Sequence, residues 1–352
     1  MKTSYIALIA IAIVAVGAIF VYTSSSTPNQ QPPPPPPAVI KVNIVLYGYH
    51  DQGAWDPQMY ECLMSAVNLS KNKFQVTFSE NVKSEDAENM LSLAAKSNDL
   101  VIASTNVYDQ AVRSVAAKYP DVKFVLESDP IGWYAKTIVN STAYPQNVIL
   151  IGPGALANNY VIGALAAKLV GQNAKLGFIQ SLDIPITTHT GATFRLGAQS
   201  VYSNIQVLRD IMGDFVAPVK CRDSIAFMAS QGVKAVFIEQ DDTSGILECQ
   251  KQGIYAIAMY KDMAGKYPDT VICSCVWNWQ MGFSDIIDAV AEGKWSSLRA
   301  SKWYWEMDIG NGGLTLGTFG NMVTEELKNF QDSLSDNVIN YGNLKVPYTD
   351  KW

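Results

Sequence analysis

The sequence predicts an α/β protein made of two doubly wound, parallel-sheet lobes with a ligand cleft between them. Three observations predict it. Short apolar runs alternate with helical stretches along the body, the alternation restarts once near residue 150, and polar loops carrying aromatic residues follow the apolar runs. Such alternation implies parallel sheets covered by helices on both faces, and open parallel sheets bind ligands beyond the carboxyl ends of their strands.

In chain order, Lys41–Tyr47 reads as a buried strand and Gln58–Leu69 as the helix that follows. Phe74–Phe78 is a second strand, and Glu85–Lys96 a helix with apolar positions at Met90, Leu91, Leu93 and Ala94. Leu100–Ala103, the helix Tyr108–Lys118 and the strand Val122–Leu126 complete the first run. The pattern restarts with Val148–Ile151, the helix Ala155–Val170 and the strand Lys175–Ile179. Ile205–Leu208, the helix Asp223–Gln231, Ala235–Ile238, the helix Ser244–Gln252 and Tyr255–Met259 follow. Each lobe is thus expected to hold four or five strands.

The N-terminus indicates the compartment. Met1–Tyr22 carries one early lysine and an uninterrupted apolar run, Ile6–Val21, near the lower length limit for a membrane span. It reads as an uncleaved anchor, with a removed signal segment as the alternative. Residues 23–38 contain Thr, Ser and six consecutive prolines, Pro32–Pro37. They cannot pack a core and favour a stiff spacer of about 3 Å per residue. The expected organisation is an anchor or signal (1–22), a linker (23–38), one lobe from 39–152 plus about 276–305, and a second from 153–275 plus about 306–352. The body is expected outside the cell, tethered to its membrane.

A net charge of −6 argues against a nucleic-acid partner. Five cysteines, Cys62, Cys221, Cys249, Cys273 and Cys275, are too few for a disulfide scaffold. Cys273 and Cys275 fall in an apolar strand pattern that suits buried thiols, although a pair remains open. Gly152-Pro-Gly154-Ala-Leu-Ala157 imitates a dinucleotide fingerprint. It lacks the later acidic residue, and Pro153 removes an amide the pyrophosphate would need, so no cofactor is expected. With two histidines, His50 and His189, and no clustered ligands or nucleophile elbow, neither a metal site nor catalysis is expected.

The loops after the strands supply ligand-binding candidates. Gly48–Asp56 places Trp55 where an indole face can stack on a planar ligand, flanked by Asp51 and Asp56. Asp56 is equally suited to capping a helix that has Pro57 at its first position. Asn106 and Asp109 occupy the corresponding loop after the third strand, and Asp241 the loop after Ile238; Asp109 has the same capping alternative.

Several stretches together carry a family resemblance. They are Asp51-Gln-Gly-Ala-Trp55 with Tyr60-Glu61 and Ala116-Ala-Lys-Tyr-Pro-Asp-Val-Lys-Phe124. Gly163-Ala-Leu-Ala-Ala-Lys168, Phe194-Arg-Leu-Gly-Ala198 and Gln240-Asp-Asp-Thr243 continue the series. Pro268-Asp-Thr-Val-Ile272, Val276-Trp-Asn-Trp279 and Glu292-Gly-Lys-Trp295 close it. In order and spacing the chain resembles the basic membrane protein family of solute-binding receptors, which includes purine-nucleoside receptors of ABC importers. The resemblance implies a type I periplasmic-binding fold, a small-molecule ligand, and permease and ATPase partners. It implies that Trp55 stacks one face of a purine, that Phe194 lies near the opposing aromatic, that Asp51 and Asp56 match polar positions around the base, and that Asp109 lies in the segment holding another base contact. The nucleoside-binding members' Gly-Gly-Thr-Gly loop is replaced here by Asp241-Asp-Thr-Ser244. Of their ribose aspartates only Asp262 remains, with Tyr260 in the other place, and Trp277 stands where they have a lysine. The expected ligand is a purine nucleobase or nucleoside, or a similar planar heterocycle, with the changed ribose positions pointing to a bare base. A ligand sensor signalling to a membrane partner, and a nucleoside-cleaving enzyme, are the alternatives to a transport receptor.

Overall fold

A computed structural model describes residues 39–129, 139–154, 156–341 and 352, with side chains of 337–341 excepted. The expected anchor (1–22) and linker (23–38) lie outside the described residues. Among the described residues no helix is long and apolar enough to cross a membrane.

The chain begins β1 (Ile40–Val45), α1 (Trp55–Leu69), β2 (Phe74–Ser79), α2 (Ala87–Ala95) and β3 (Leu100–Ala103). It continues α3 (Asp109–Lys118), β4 (Lys123–Glu127), β5 (Val148–Pro153), α4 (Ala157–Val170) and β6 (Lys175–Gln180). Next come α5 (Pro185–Val201), β7 (Gln206–Ile211), α6 (Pro218–Ser230), β8 (Val233–Ile238) and α7 (Ser244–Gln252). The remainder is β9 (Tyr255–Tyr260), β10 (Val271–Trp277), α8 (Gln280–Ala291), α9 (Trp295–Ser301), β11 (Tyr304–Met307), β12 (Leu314–Thr315) and α10 (Glu325–Tyr341).

Two six-stranded sheets result, ordered β11-β5-β4-β3-β1-β2 and β12-β10-β9-β8-β6-β7. All pairings are parallel except β10 with β12. Each sheet therefore carries one or two strands more than expected. The chain changes sheets after β5, after β10 and after β11, so the two α/β lobes are joined by three crossings.

Central strands are apolar runs because helices cover both of their faces; β3, β5 and β10 are buried at every position. Edge strands β2 and β7 have exposed positions and mixed sequence. In α1, the spacing of Met59, Cys62, Leu63 and Ala66 makes one buried face. The helix α5 was not predicted. Its first half, Pro185–Phe194, is buried on all sides and rich in threonine, so it shows no amphipathic period. Its approach to α4 depends on two glycines: a Cβ on Gly163 would lie 1.9 Å from the Phe194 carbonyl oxygen, and one on Gly197 would lie 1.9 Å from that of Tyr160. All five cysteines are buried and unpaired, as the strand pattern had suggested for Cys273 and Cys275.

Candidate functional site

The strand ends of both lobes meet along α1. The loop after β1 is clamped by its own acid: Asp56 Oδ2 accepts the Gly48 amide at 2.6 Å. The helix starts at Trp55 with Ala54 as its cap residue and no side-chain cap, so Asp56 is not the helix cap. Burial raises the Asp56 pKa, opposed by Ser104, the Gly48 and Tyr47 amides and Lys83.

The start of α1 is capped from the other lobe. Asp241 Oδ1 accepts the amides of Ala54 (2.5 Å) and Trp55 (2.7 Å). Burial pushes the Asp241 carboxyl up to about 6 despite these two bonds, and the nearby Asp56 and Asp242 add to the rise. Asp241 was expected to face the ligand; its carboxylate faces lobe 1 instead.

Trp55 stands at the centre of an aromatic cluster. Its ring lies 5.0 Å from Tyr260, 5.1 Å from Trp277 and 4.9 Å from Trp279, edge-on or tilted to each. Its indole N–H donates to the Ser104 carbonyl at 2.9 Å, and the residue is half-buried. Tyr260, at the end of β9, holds φ at +70°, a conformation that costs a bulky residue about 1–3 kcal/mol.

Polar groups without partners collect here. Among the described residues the buried indole N–H of Trp279 and Asn158 Oδ1 complete no hydrogen bond, whereas the Trp277 side chain bonds Cys275. Asn158 is placed by its other amide atom, which donates to Cys275 Sγ at 2.9 Å. Cys275 and Trp277 share a face of β10 because side chains alternate along a strand. An orphaned buried donor or acceptor costs about 1–3 kcal/mol, and such groups are rare.

Glu127 ends β4 and Glu239 follows β8; burial raises the Tyr260 pKa, and the charges of Glu239, Asp241, Cys275 and Glu127 add to the rise. Burial holds the Glu239 carboxyl up at about 8, against the Ser181 amide and the Thr190 hydroxyl. Sequence reasoning did not single out Glu127, Glu239, Asn158 or Trp279. The available signal was an apolar strand running straight into Glu in each lobe, Phe-Val-Leu-Glu127 and Val-Phe-Ile-Glu239.

Other expected contacts lie elsewhere. Asp109 is held by Arg113 Nε (2.8 Å) and the Tyr144 hydroxyl (2.5 Å), which ties α3 to the segment before β5. Phe194 is fully buried in the core of lobe 2, 5.3 Å from Phe237, and cannot oppose Trp55. Asp262 accepts the amide (2.9 Å) and hydroxyl (3.1 Å) of Thr318 and so fastens two loops of lobe 2. Asp51 is exposed and grouped with His50 and Glu80, their ligating atoms within 4.8 Å of one another. His50 Nδ1 is already paired with Glu80 at 2.5 Å. Asn106 is half-buried in a short turn after β3, accepting the Thr105 hydroxyl at 3.4 Å. A cavity of about 180 Å³ opens beside the clasped helix end, lined by Gly53, Ala54, Gln240, Thr243, Met259 and Met263. None of the four clustered aromatic rings lines it.

Comparison with known proteins gives a consistent answer. A family model described as ABC transporter substrate-binding protein, PnrA-like, matches residues 40–349. A purine-binding protein of Brucella abortus (strain 2308) is 29% identical over 273 residues, covering 77% of this chain and 73% of the relative. A solute-binding protein of an ABC transporter system from Conexibacter woesei DSM 14684 superposes with a TM-score of 0.72 at 18% identity. That match covers 88% of this chain and 99% of the other. Its counterpart from Aeropyrum pernix K1 gives 0.69 at 16% identity, covering 86% and 92%.

Proposed function

Since the chain belongs to the PnrA-like family of ABC transporter substrate-binding proteins, we propose that its cleft captures a purine, as the free base in preference to the nucleoside. Family and fold are those of solute-binding receptors and not of enzymes. The body of such a receptor works outside the cytoplasm and hands its ligand to an ABC permease and its ATPase. In this reading the apolar segment 1–22 tethers the body to the membrane, and the proline-rich linker holds it clear of the surface.

One observation carries the ligand class. A half-buried indole packs against the rings of Tyr260, Trp277 and Trp279, and the Trp279 N–H and Asn158 Oδ1 are buried without partners. A flat heterocycle with ring-nitrogen acceptors and N–H donors on its edge complements that set. The purine-binding relative supports the same class. Preference for the base follows from the residues in the ribose positions. On the resemblance Tyr260 and Trp277 stand at those positions, where their rings pack on each other, and Asp241 caps α1.

The test is to incubate adenine, guanine, adenosine and inosine with the purified protein and to read thermal shift beside chromatography. Ligand at 100 times its dissociation constant adds about 2.7 kcal/mol of stability. Turnover of a nucleoside, or stabilisation by none of the four, refutes the purine reading. Calorimetry giving a nucleoside a tenfold advantage over its base, about 1.4 kcal/mol, refutes the preference.

A further inference from the structure

We infer that Asp241 is the clasp that holds the two lobes closed, through its carboxylate on the first amides of the helix that carries Trp55. The first amides of any helix lack intrahelical acceptors. Here the methyl side chain of Ala54 cannot accept a hydrogen bond, and Pro57 has no N–H. The acceptor arrives from residue 241, across the cleft, at 2.5 and 2.7 Å. The contact is built from both sides. Gly53 holds φ at +86°, and a Cβ there would stand 3.0 Å from the Asp241 carbonyl and from both carboxylate oxygens, so glycine lets lobe 2 come this near. On the lobe 2 side, the Asp241 amide donates to the Phe215 carbonyl at 2.9 Å and fixes the loop.

Other links run from α1 to lobe 2, and one of them is exposed. Gln58 Nε2 donates to the Trp277 carbonyl at 3.1 Å, and Lys261 pairs with Glu61 at 2.5 Å in a solvent-facing bridge of the kind that contributes little. Because one of the two clasped amides belongs to Trp55 itself, the contact also sets the indole against Tyr260 and Trp277. Asp241 is thus a positioning residue for the stacking face as well as a closure contact.

The clasp carries a pH signature. Asp56, Asp242 and Tyr260 face the Asp241 carboxyl, and no cationic side chain is among the groups that shift it. In the open cleft the group is solvated and ionises in the ordinary range; in the closed cleft its pKa is raised to about 6. The closed state therefore binds a proton more readily, and closure weakens as pH rises through that value. Asn in place of Asp retains an oxygen for both amides and removes the titration.

Hydrogen exchange on the whole, ligand-free protein tests this without assuming any ligand. Protection of the Ala54 and Trp55 amides reports the clasp, since neither has an intrahelical acceptor. Asp241→Ala should lower their protection factors roughly 5- to 30-fold, the loss typical of a helix cap. Asp241→Asn should restore protection. The wild type should lose protection as pH is raised through about 6, whereas Asp241→Asn should show no such trend. Unchanged protection in Asp241→Ala overturns the clasp, as does an Asp241→Asn variant no better than Ala. If Asp241→Ala fails to fold, a wild type whose pH trend matches that of Asp241→Asn overturns it.

Discussion

Replacing Trp55 by alanine should damage binding and folding together, by amounts the structure separates. The indole is half-buried, touches three other rings, and donates to the buried Ser104 carbonyl. Full burial would set the cost of truncation at about 3–5 kcal/mol. A partly exposed ring brings that to about 3 kcal/mol, of which the lost Ser104 bond is about 1. Loss of a stacking face adds about 1–3 kcal/mol to binding, a 5- to 150-fold weaker Kd. Trp55→Phe divides the two effects. It retains a ring for stacking but leaves the Ser104 carbonyl without its donor, so stability falls by about 1 kcal/mol. Its adenine Kd should stay within about threefold of wild type. Denaturant unfolding and calorimetry with adenine on both variants make the measurement. Trp55→Ala with wild-type affinity, or Trp55→Phe as weak as Trp55→Ala, would refute stacking as the role of Trp55.

Three further outcomes follow from other parts of the molecule. Burial raises the Glu239 pKa from the ordinary 4.5 to about 8, so its contribution is whole below the ordinary value and is lost as pH rises toward 8. Glu239→Gln, neutral throughout, should gain melting temperature relative to wild type between those two values; parallel curves would contradict a neutral buried carboxyl. Asp109→Asn should lower stability by no more than about 1 kcal/mol, since its Arg113 pair is partly exposed, and should leave purine affinity unchanged. A large loss of affinity in calorimetry would return Asp109 to the site. Gly163→Ala forces a methyl against the Phe194 carbonyl at 1.9 Å and should cost about 1–3 kcal/mol or prevent folding. An unchanged melting temperature would show that α4 and α5 separate easily.

The strands were legible because a parallel strand buried on both faces must be apolar along its length, which a linear sequence displays directly. Leu100–Ala103 and Val148–Ile151 were found for that reason, and both are fully buried. Family-bearing stretches such as Asp51-Gln-Gly-Ala-Trp55 were legible too, and they pointed to receptor, lobes and cleft before any fold was known. By contrast, α5 was invisible because burial on every side erases the helical period from which an amphipathic helix is read.

The polar residues divided differently. Asp109, Asp241 and Asp262 look alike in sequence, each an acid in a loop or at a helix start beyond a strand. What each one does is fixed by a partner far along the chain: Tyr144 for Asp109, Ala54 and Trp55 for Asp241, and Thr318 for Asp262. A carboxylate's role depends on which donor lies within about 3 Å of it, and only folding brings such donors near. The sequence by itself determined that a two-lobed α/β receptor would form, because buried parallel strands and the family's stretches are written along the chain. Only the tertiary structure decided which donor each acid meets, because those donors lie far away in the chain and only folding brings them within reach.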